Sequence, residues 1–298
     1  MGMFVTIDMM KLQNEFIAIE VAEHGAELLS LKRGDTEYIW QGDPLFWGRH
    51  APILFPIVGQ VWEGAYRVNG REYHLPQHGF ARDRDFEAVE DADAIVMRLE
   101  SDDRSREVYP YEFVLTARYT LHANVVRCCW TVRNSGAERM YYQIGAHPAF
   151  YYRDFDAADK MHGMLTVENL TGSAVKPIIR GVIEGGFRAE RERSMKICNI
   201  MPLEGRTFDH DALLLEDGQT QVVGLRDKKA REYLRLTSDC QVFGIWSPTG
   251  KDAPFVCIEP WMGRCDRVGF DGDISERDFI QQLEPGEERD FVYTIEAI

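Results

Sequence analysis

Alternation of apolar and polar residues with a period of two runs through most of this chain, and it limits the possible folds more than any other feature. In "YEFVLTARYTLHANVVRCCWTVRNSG", Phe113, Leu115, Ala117, Tyr119 and Leu121 take one side. After a His122-Ala123-Asn124 turn, Val126, Cys128, Trp130 and Val132 do the same. Successive side chains of a strand point to opposite faces, so this stretch predicts a long antiparallel hairpin with one buried face. "AYRVNGREYHL" sets Asn69-Gly70 between two alternating runs, a hairpin signal because both turn positions need positive φ. Further strands are expected in "NEFIAIEVA", "AELLSLKR", "DAIVMRLE", "TQVVGLRD", "EYLRLTS", "QVFGIWS", "PFVCIEPW" and "RDFVYTIEAI". Helical periodicity is confined to short pieces such as "SERDFIQQ", Ser275 to Gln282, with Ser275 as its cap. Without strand and helix in alternation there is nothing to build a parallel sheet. The stretch from about Arg180 to Glu204 is charged and poorly periodic and reads as a surface excursion. The expectation is an all-β protein, a large antiparallel β-sandwich forming one domain over residues 1–298.

Charge and missing motifs exclude several kinds of function. A formal charge of −15 repels polyanions, so neither nucleic acid nor an anionic membrane is an expected partner. No apolar run is long enough to cross a bilayer, and "MGMFVTIDMMKLQNEF" has no basic segment followed by an apolar one, which makes the cytoplasm the expected location. The six cysteines, at 128, 129, 198, 240, 257 and 265, form no C-x-x-C pair and are expected to be reduced core thiols, with no metal site. "GIWSPTGKD" fails as a phosphate loop in both spacing and final residue, and G-x-G-x-x-G, H-E-x-x-H and G-x-S-x-G do not occur. Acid–base chemistry on a neutral or cationic small molecule, or simple binding of one, is what remains.

Three titratable residues sit where the local pattern favours apolar or small ones. His147 lies in "YYQIGAHPAFYY", hemmed in by aromatic and small residues with Pro148 fixing the backbone behind it. Glu259 ends an apolar run in "APFVCIEPWMG", where desolvation raises a carboxyl pKa toward that of a usable base. His78, in "LPQHGFARDRDF", precedes Gly79, which admits close approach of a ligand, and Arg82 and Arg84 follow. Each has a purely structural counterpart. A lone histidine is more often a hydrogen-bonded structural residue, and Glu259 can pair with an arginine such as Arg264. Trp62, Trp246 and Trp261 can be core rather than platforms under a sugar ring, and residues 82 to 85 a solvated charge run. The case rests on the three sites together.

The ordered set "RHAPILFPIVG", "HGFARDRDF", "GAHPAF", "DALLLED" and "CIEPWMG" resembles the aldose 1-epimerase (galactose mutarotase-like) superfamily over nearly the whole chain, in particular its short bacterial branch. The resemblance implies that family's antiparallel β-supersandwich with a concave sugar-binding face. It also implies roles: Glu259 as catalytic base, His147 as the acid, protonated at rest, and His78 as the second histidine. Arg49 in "GRHAP" matches the substrate-contacting arginine, and Asp211, with Asp209 as the alternative, a hydroxyl-binding aspartate. Arg82 and Trp261 are further substrate contacts. The implied reaction interconverts the α and β anomers of a free hexose by ring opening and closure, with no cofactor or metal. Two departures from the galactose-specific pattern, no asparagine before Arg49 and Phe80 where a second glycine is expected, leave the sugar open. The rivals are a hexose-6-phosphate 1-epimerase using Arg49, Arg82 and Arg84, a non-catalytic carbohydrate-binding protein, and last a glycoside hydrolase, which requires two flanking carboxylates.

Overall fold

The computed structural model describes residues 9–173, 178–181, 186, 194–196 and 199–298, with 178–181 and 194–196 described through their backbone pairing. The start of the N-terminal segment and Cys198 lie outside the described residues. Two large antiparallel sheets dominate. The first runs, in spatial order, Ile200–Glu204, Met161–Glu168, Val222–Arg226, Glu232–Ser238, Glu288–Ala297, Val125–Asn134, Phe113–His122, Ile95–Glu100 and Glu87–Val89. The second runs Ser194–Lys196, Ile178–Gly181, Leu213–Leu215, Val242–Trp246, Phe255–Met262, Ile144–Ala146 and Ile53–Leu54, with Ala149–Tyr151 also paired to Phe255–Met262. A smaller sheet of four strands spans Met9–Gln13 to Thr36–Glu37.

The long hairpin pairs Ala117 with Trp130 and Leu115 with Val132, so the two alternating runs face the same way. Phe113, Leu115, Ala117, Tyr119, Val126, Cys128, Trp130 and Val132 are all buried. Opposite them, the second sheet contributes Ile53, Phe55, Ile144, Ala146, Phe243, Ile245, Val256 and Ile258 to the same core. Each fully buried side chain of this size contributes about 1.5–3 kcal/mol, and this shared layer holds the sandwich together. The outer face of the second sheet is apolar too: Leu54, Leu214, Val242 and Trp261 form a separate cluster there. A sheet buried on one side and apolar on the other is a floor for something else.

Elsewhere the structure departs from the sequence reading. "SERDFIQQ" contains only a single 3₁₀ turn, Ile274–Glu276, followed by the strand Gln281–Leu283, because Asp273 rather than Ser275 caps it and Phe279 takes a positive φ that ends any helix. A six-residue helix, Asp103–Val108, forms instead where Asp102 and Ser105 make a reciprocal capping box. The 180–204 stretch is not wholly an excursion: Ile178–Gly181, Ser194–Lys196 and Ile200–Glu204 extend the sheet edges. The Asn69-Gly70 turn has φ of 51° and 78°, as its residues predict. The five described cysteines are free and buried, and among the described residues no helix is long and apolar enough to cross a membrane.

Candidate active site

A cavity of about 540 Å³ opens on the outer face of the second sheet, lined among others by Trp47, His78, Arg82, His147, Asp211, Trp246, Glu259 and Trp261. Strand register assembles its centre. Ile144–Ala146 and Ala149–Tyr151 both pair with Phe255–Met262, interrupted at His147-Pro148. The register that pairs Gly145 with Trp261 and Ala149 with Cys257 therefore sets His147 opposite Glu259. Period two does the rest, since Val256 and Ile258 point into the core while Glu259 and Trp261 point into the cavity.

On its other side Glu259 is paired with Gly244. Gly145 and Gly244 together seat Trp261. A Cβ at Gly145 would lie 2.5 Å from the indole Cδ1, and one at Gly244 2.7 Å from Cη2 and Cζ2. Neither position has room for a side chain, and the indole spreads across the strands beside it.

His147 Nε2 stands 3.1 Å from Glu259 Oε2, without the alignment of a hydrogen bond. The imidazole is stacked on Trp47, with ring centroids 4.8 Å apart, and meets Trp246 and His78 edge-on. The backbone N–H of His78 donates to the Gly59 carbonyl, and the Gly59 N–H donates back to His78 Nδ1 at 3.0 Å. That reciprocal pair fixes the imidazole on a left-handed backbone position, φ 66°, and it leaves the proton of the neutral ring on Nε2.

Burial dominates the electrostatics. It drives Glu259 well above the usual carboxylate range, with the charge of Asp211 adding to the effect. It drives His147 down to about 3, and it holds His78 well below its ordinary value, with His147, Arg82 and Arg49 adding their repulsion. Burial thus works against the expected imidazolium at position 147, since two adjacent buried charges with no supporting hydrogen bonds are costly. A neutral imidazole beside a carboxyl group that holds its proton is favoured instead.

The other expected residues divide. Arg82 lines the cavity; its Nη2 donates to the Gln77 carbonyl and burial lowers its pKa to about 10. Asp211 lines it as well, whereas Asp209 is held by Arg206 outside the lining. Arg49 is not part of the lining: its guanidinium bonds Asp83 at 2.7 Å. Arg84 is turned away onto Asp102. Arg264, the structural partner weighed for Glu259, instead pairs with Glu216 and Asp278. Trp47 went unnoticed in the sequence; its only signal is that it stands two residues before Arg49 in "FWGRHAP".

Arg82 Nε, His147 Nδ1 and Glu259 Oε2, buried around the cavity, make no well-aligned hydrogen bond to another residue, and the indole N–H of Trp261 faces the Glu259 carboxyl, tempering the upward shift of its pKa. Unpaired buried polar groups are rare in folded proteins, and a cluster of them on one cavity marks a place for a polar ligand.

Fold and cavity together define an all-β protein with a polar-lined cavity on the outer face of one sheet. Residues 8–296 match the family model described as aldose 1-epimerase, and the chain belongs to that family. It is 31% identical to the plasmid-encoded Protein LacX of Lactococcus lactis subsp. lactis over 85% of this chain and 87% of that protein. Among solved structures it is similar to a galactose mutarotase related enzyme from Lactobacillus acidophilus (31% identity, TM-score 0.89, covering 98% of this chain and 97% of the other). It is also similar to a galactose mutarotase-like protein from Lactobacillus casei (30%, 0.90, 98% and 100%).

Proposed function

We propose that this protein is a mutarotase that interconverts the α and β anomers of a free hexose. The observation that carries the reading is the cross-strand pair of Glu259 and His147, 3.1 Å apart and almost wholly buried at the cavity, with unpartnered polar atoms around it. Anomerisation removes a proton from the C1 hydroxyl and adds one to the ring oxygen, after which the open aldehyde turns about C1–C2 and recloses. One acid and one base suffice. The Glu259–His147 pair shares a single proton and so presents one of each. When the hydroxyl groups of a bound ring supply hydrogen bonds to the carboxylate, the proton held by Glu259 crosses to His147 Nε2. Glu259 then takes the C1 hydroxyl proton and His147 delivers its own to the ring oxygen, and reclosure reverses both transfers. Each positioned transfer contributes a factor of about 10²–10⁴ in rate.

Arg82, Asp211 and the indole N–H of Trp261 border the cavity and are the groups we assign to ring hydroxyls, with His78 beside them. Arg49 braces Asp83 and the Arg82 carbonyl and acts on the site through its charge. Only Arg82 of the three arginines considered for a phosphate lines the cavity. Among the described residues Lys251 is the other cation on the cavity, and its ammonium already donates to the Leu45 and Phe46 carbonyls. This favours an unphosphorylated sugar over a hexose 6-phosphate.

Polarimetry or NMR exchange on freshly dissolved α-hexoses and their 6-phosphates tests the reading. Glu259→Gln and His147→Gln are expected to remain folded and to lose at least a hundredfold in exchange rate. Undiminished exchange in both variants overturns the assignment. Sugar binding by a wild type that accelerates no exchange would make the protein a carbohydrate binder instead.

A further inference from the structure

The same register places a third side chain beside the reactive pair. Cys257 lies two residues before Glu259 on the cavity-side face of the same strand, opposite Ala149. One nitrogen of His147, the sulfur of Cys257 and one carboxylate oxygen of Glu259 all lie within 4.8 Å of one another, and all three residues are buried. No other trio of metal-ligating side chains comes this close among the described residues. His147 Nε2 faces Glu259 Oε2, which makes no aligned hydrogen bond.

We propose that His147, Cys257 and Glu259 form a three-ligand site for Zn²⁺ or a chemically similar soft divalent cation, and that such an ion blocks the site. The site itself is independent of the proposed reaction; only the blocking rests on that reading.

The donor set is one sulfur, one imidazole nitrogen and one carboxylate oxygen, which suits zinc and excludes Mg²⁺ and Ca²⁺, whose sites are built from oxygen. Ligand atoms bound tetrahedrally at 2.0–2.3 Å stand about 3.3–3.7 Å apart. His147 and Glu259 are already at 3.1 Å. Bringing the sulfur in from at most 4.8 Å requires a movement of about 1 Å. The cavity reaches His147 and Glu259 and leaves the fourth position for water or a sugar hydroxyl. Cys257 lies just behind the cavity wall, packed against Trp40, Ala149 and Phe255 with its thiol pKa raised by burial, so the ion must displace the thiol proton as the sulfur turns toward the pair. Arg82 and Arg49 repel an incoming cation from one side, the charge of Asp211 attracts it from the other, and the ion displaces the proton that Glu259 holds at rest. Neither H-E-x-x-H nor C-x-x-C marks this trio in the sequence, because tertiary pairing alone brings His147 to the other two.

Cadmium is the direct probe. Titrating the full chain with CdCl₂ under reducing conditions is expected to produce a thiolate-to-cadmium ultraviolet band saturating at one ion per chain, with a cadmium NMR shift of a one-sulfur mixed set. Cys257→Ser is expected to abolish the band, and His147→Gln and Glu259→Gln to weaken Zn²⁺ binding by calorimetry at least tenfold each. Zn²⁺ is expected to inhibit anomer exchange and EDTA to restore it. A missing band overturns the site, as does a band that survives Cys257→Ser, which would place the ion on another thiol such as the cavity-lining Cys265. So does Zn²⁺ affinity indifferent to both His147→Gln and Glu259→Gln, which would leave a lone thiol. Should Cys257→Ser fail to fold, the wild-type cadmium shift and the other two variants decide the matter. If no sugar shows exchange, the binding measurements still decide the site, so the two readings fail separately.

Discussion

Replacing Gly244 with alanine puts one methyl group under the floor of the cavity, and its effect follows from distances. The new Cβ would stand 2.7 Å from Cη2 and Cζ2 of Trp261, whereas carbon–carbon contacts settle at about 3.5–4.0 Å. The indole must therefore move by about 1 Å, into the cavity that it lines. Over-packing of this kind costs about 1–3 kcal/mol. Gly244 sits in a strand without a positive φ, where alanine is the better residue by about 0.5–1 kcal/mol. The net expectation is a loss of about 0.5–2 kcal/mol together with weaker sugar binding. In a Trp261→Leu background the clash disappears, and the same alanine should stabilise by about 0.5–1 kcal/mol. A double-mutant cycle in urea, followed by far-ultraviolet circular dichroism, should give a coupling of about 1–3 kcal/mol, the double variant being more stable than the sum of its parts. Coupling under about 0.5 kcal/mol, the scatter of independent sites, would falsify the claim that Gly244 seats the indole.

Two further substitutions probe the frame around the site. Asp102→Ala removes the cap of the short helix, where the carboxylate accepts from the Ser105 N–H at 2.7 Å and pairs with Arg84; the expected loss at neutral pH is about 1 kcal/mol. The Ser105 N–H, and then Arg84, hold the Asp102 carboxyl below its ordinary value. Its contribution is therefore complete above the unfolded carboxylate range and disappears as the pH falls through the lowered folded value. Wild-type and variant stabilities should converge in acid, and a constant gap from neutral pH into acid would refute the assignment. Arg277→Met strands Asp266, whose Oδ1 lies 2.5 Å from Arg277 Nε in a pair almost wholly shielded from solvent; the expected cost is about 3–5 kcal/mol. Adding Asp266→Asn keeps an acceptor for the Trp62 N–H while removing the stranded charge. Thermal unfolding should show most of the loss recovered.

Much of the fold was legible because strand periodicity is a local property. The hairpin Phe113–His122 with Val125–Asn134 and the Asn69-Gly70 turn follow from residues adjacent in the chain. Where the local signal is short or broken, it misleads. Ile144–Ala146 and Ala149–Tyr151 are too brief to show a period. Met161–Glu168 is interrupted by a register shift between Met161 and Gly163, and the edge strands between 178 and 204 are masked by charge.

Glu259, His147 and His78 could be singled out from the sequence because a titratable residue in an apolar context stands out, and the family resemblance supplied roles to expect of them. Tertiary structure alone decided their relations. Register between distant segments set His147 opposite Glu259, placed Cys257 beside them, and laid Trp261 across two glycines on neighbouring strands. It also set burial against the charged form of the imidazole. A residue's type fixes its ordinary pKa, but the sign and size of its shift depend on how completely water is excluded and which charges remain nearby. Those depend on side chains brought together from across the chain.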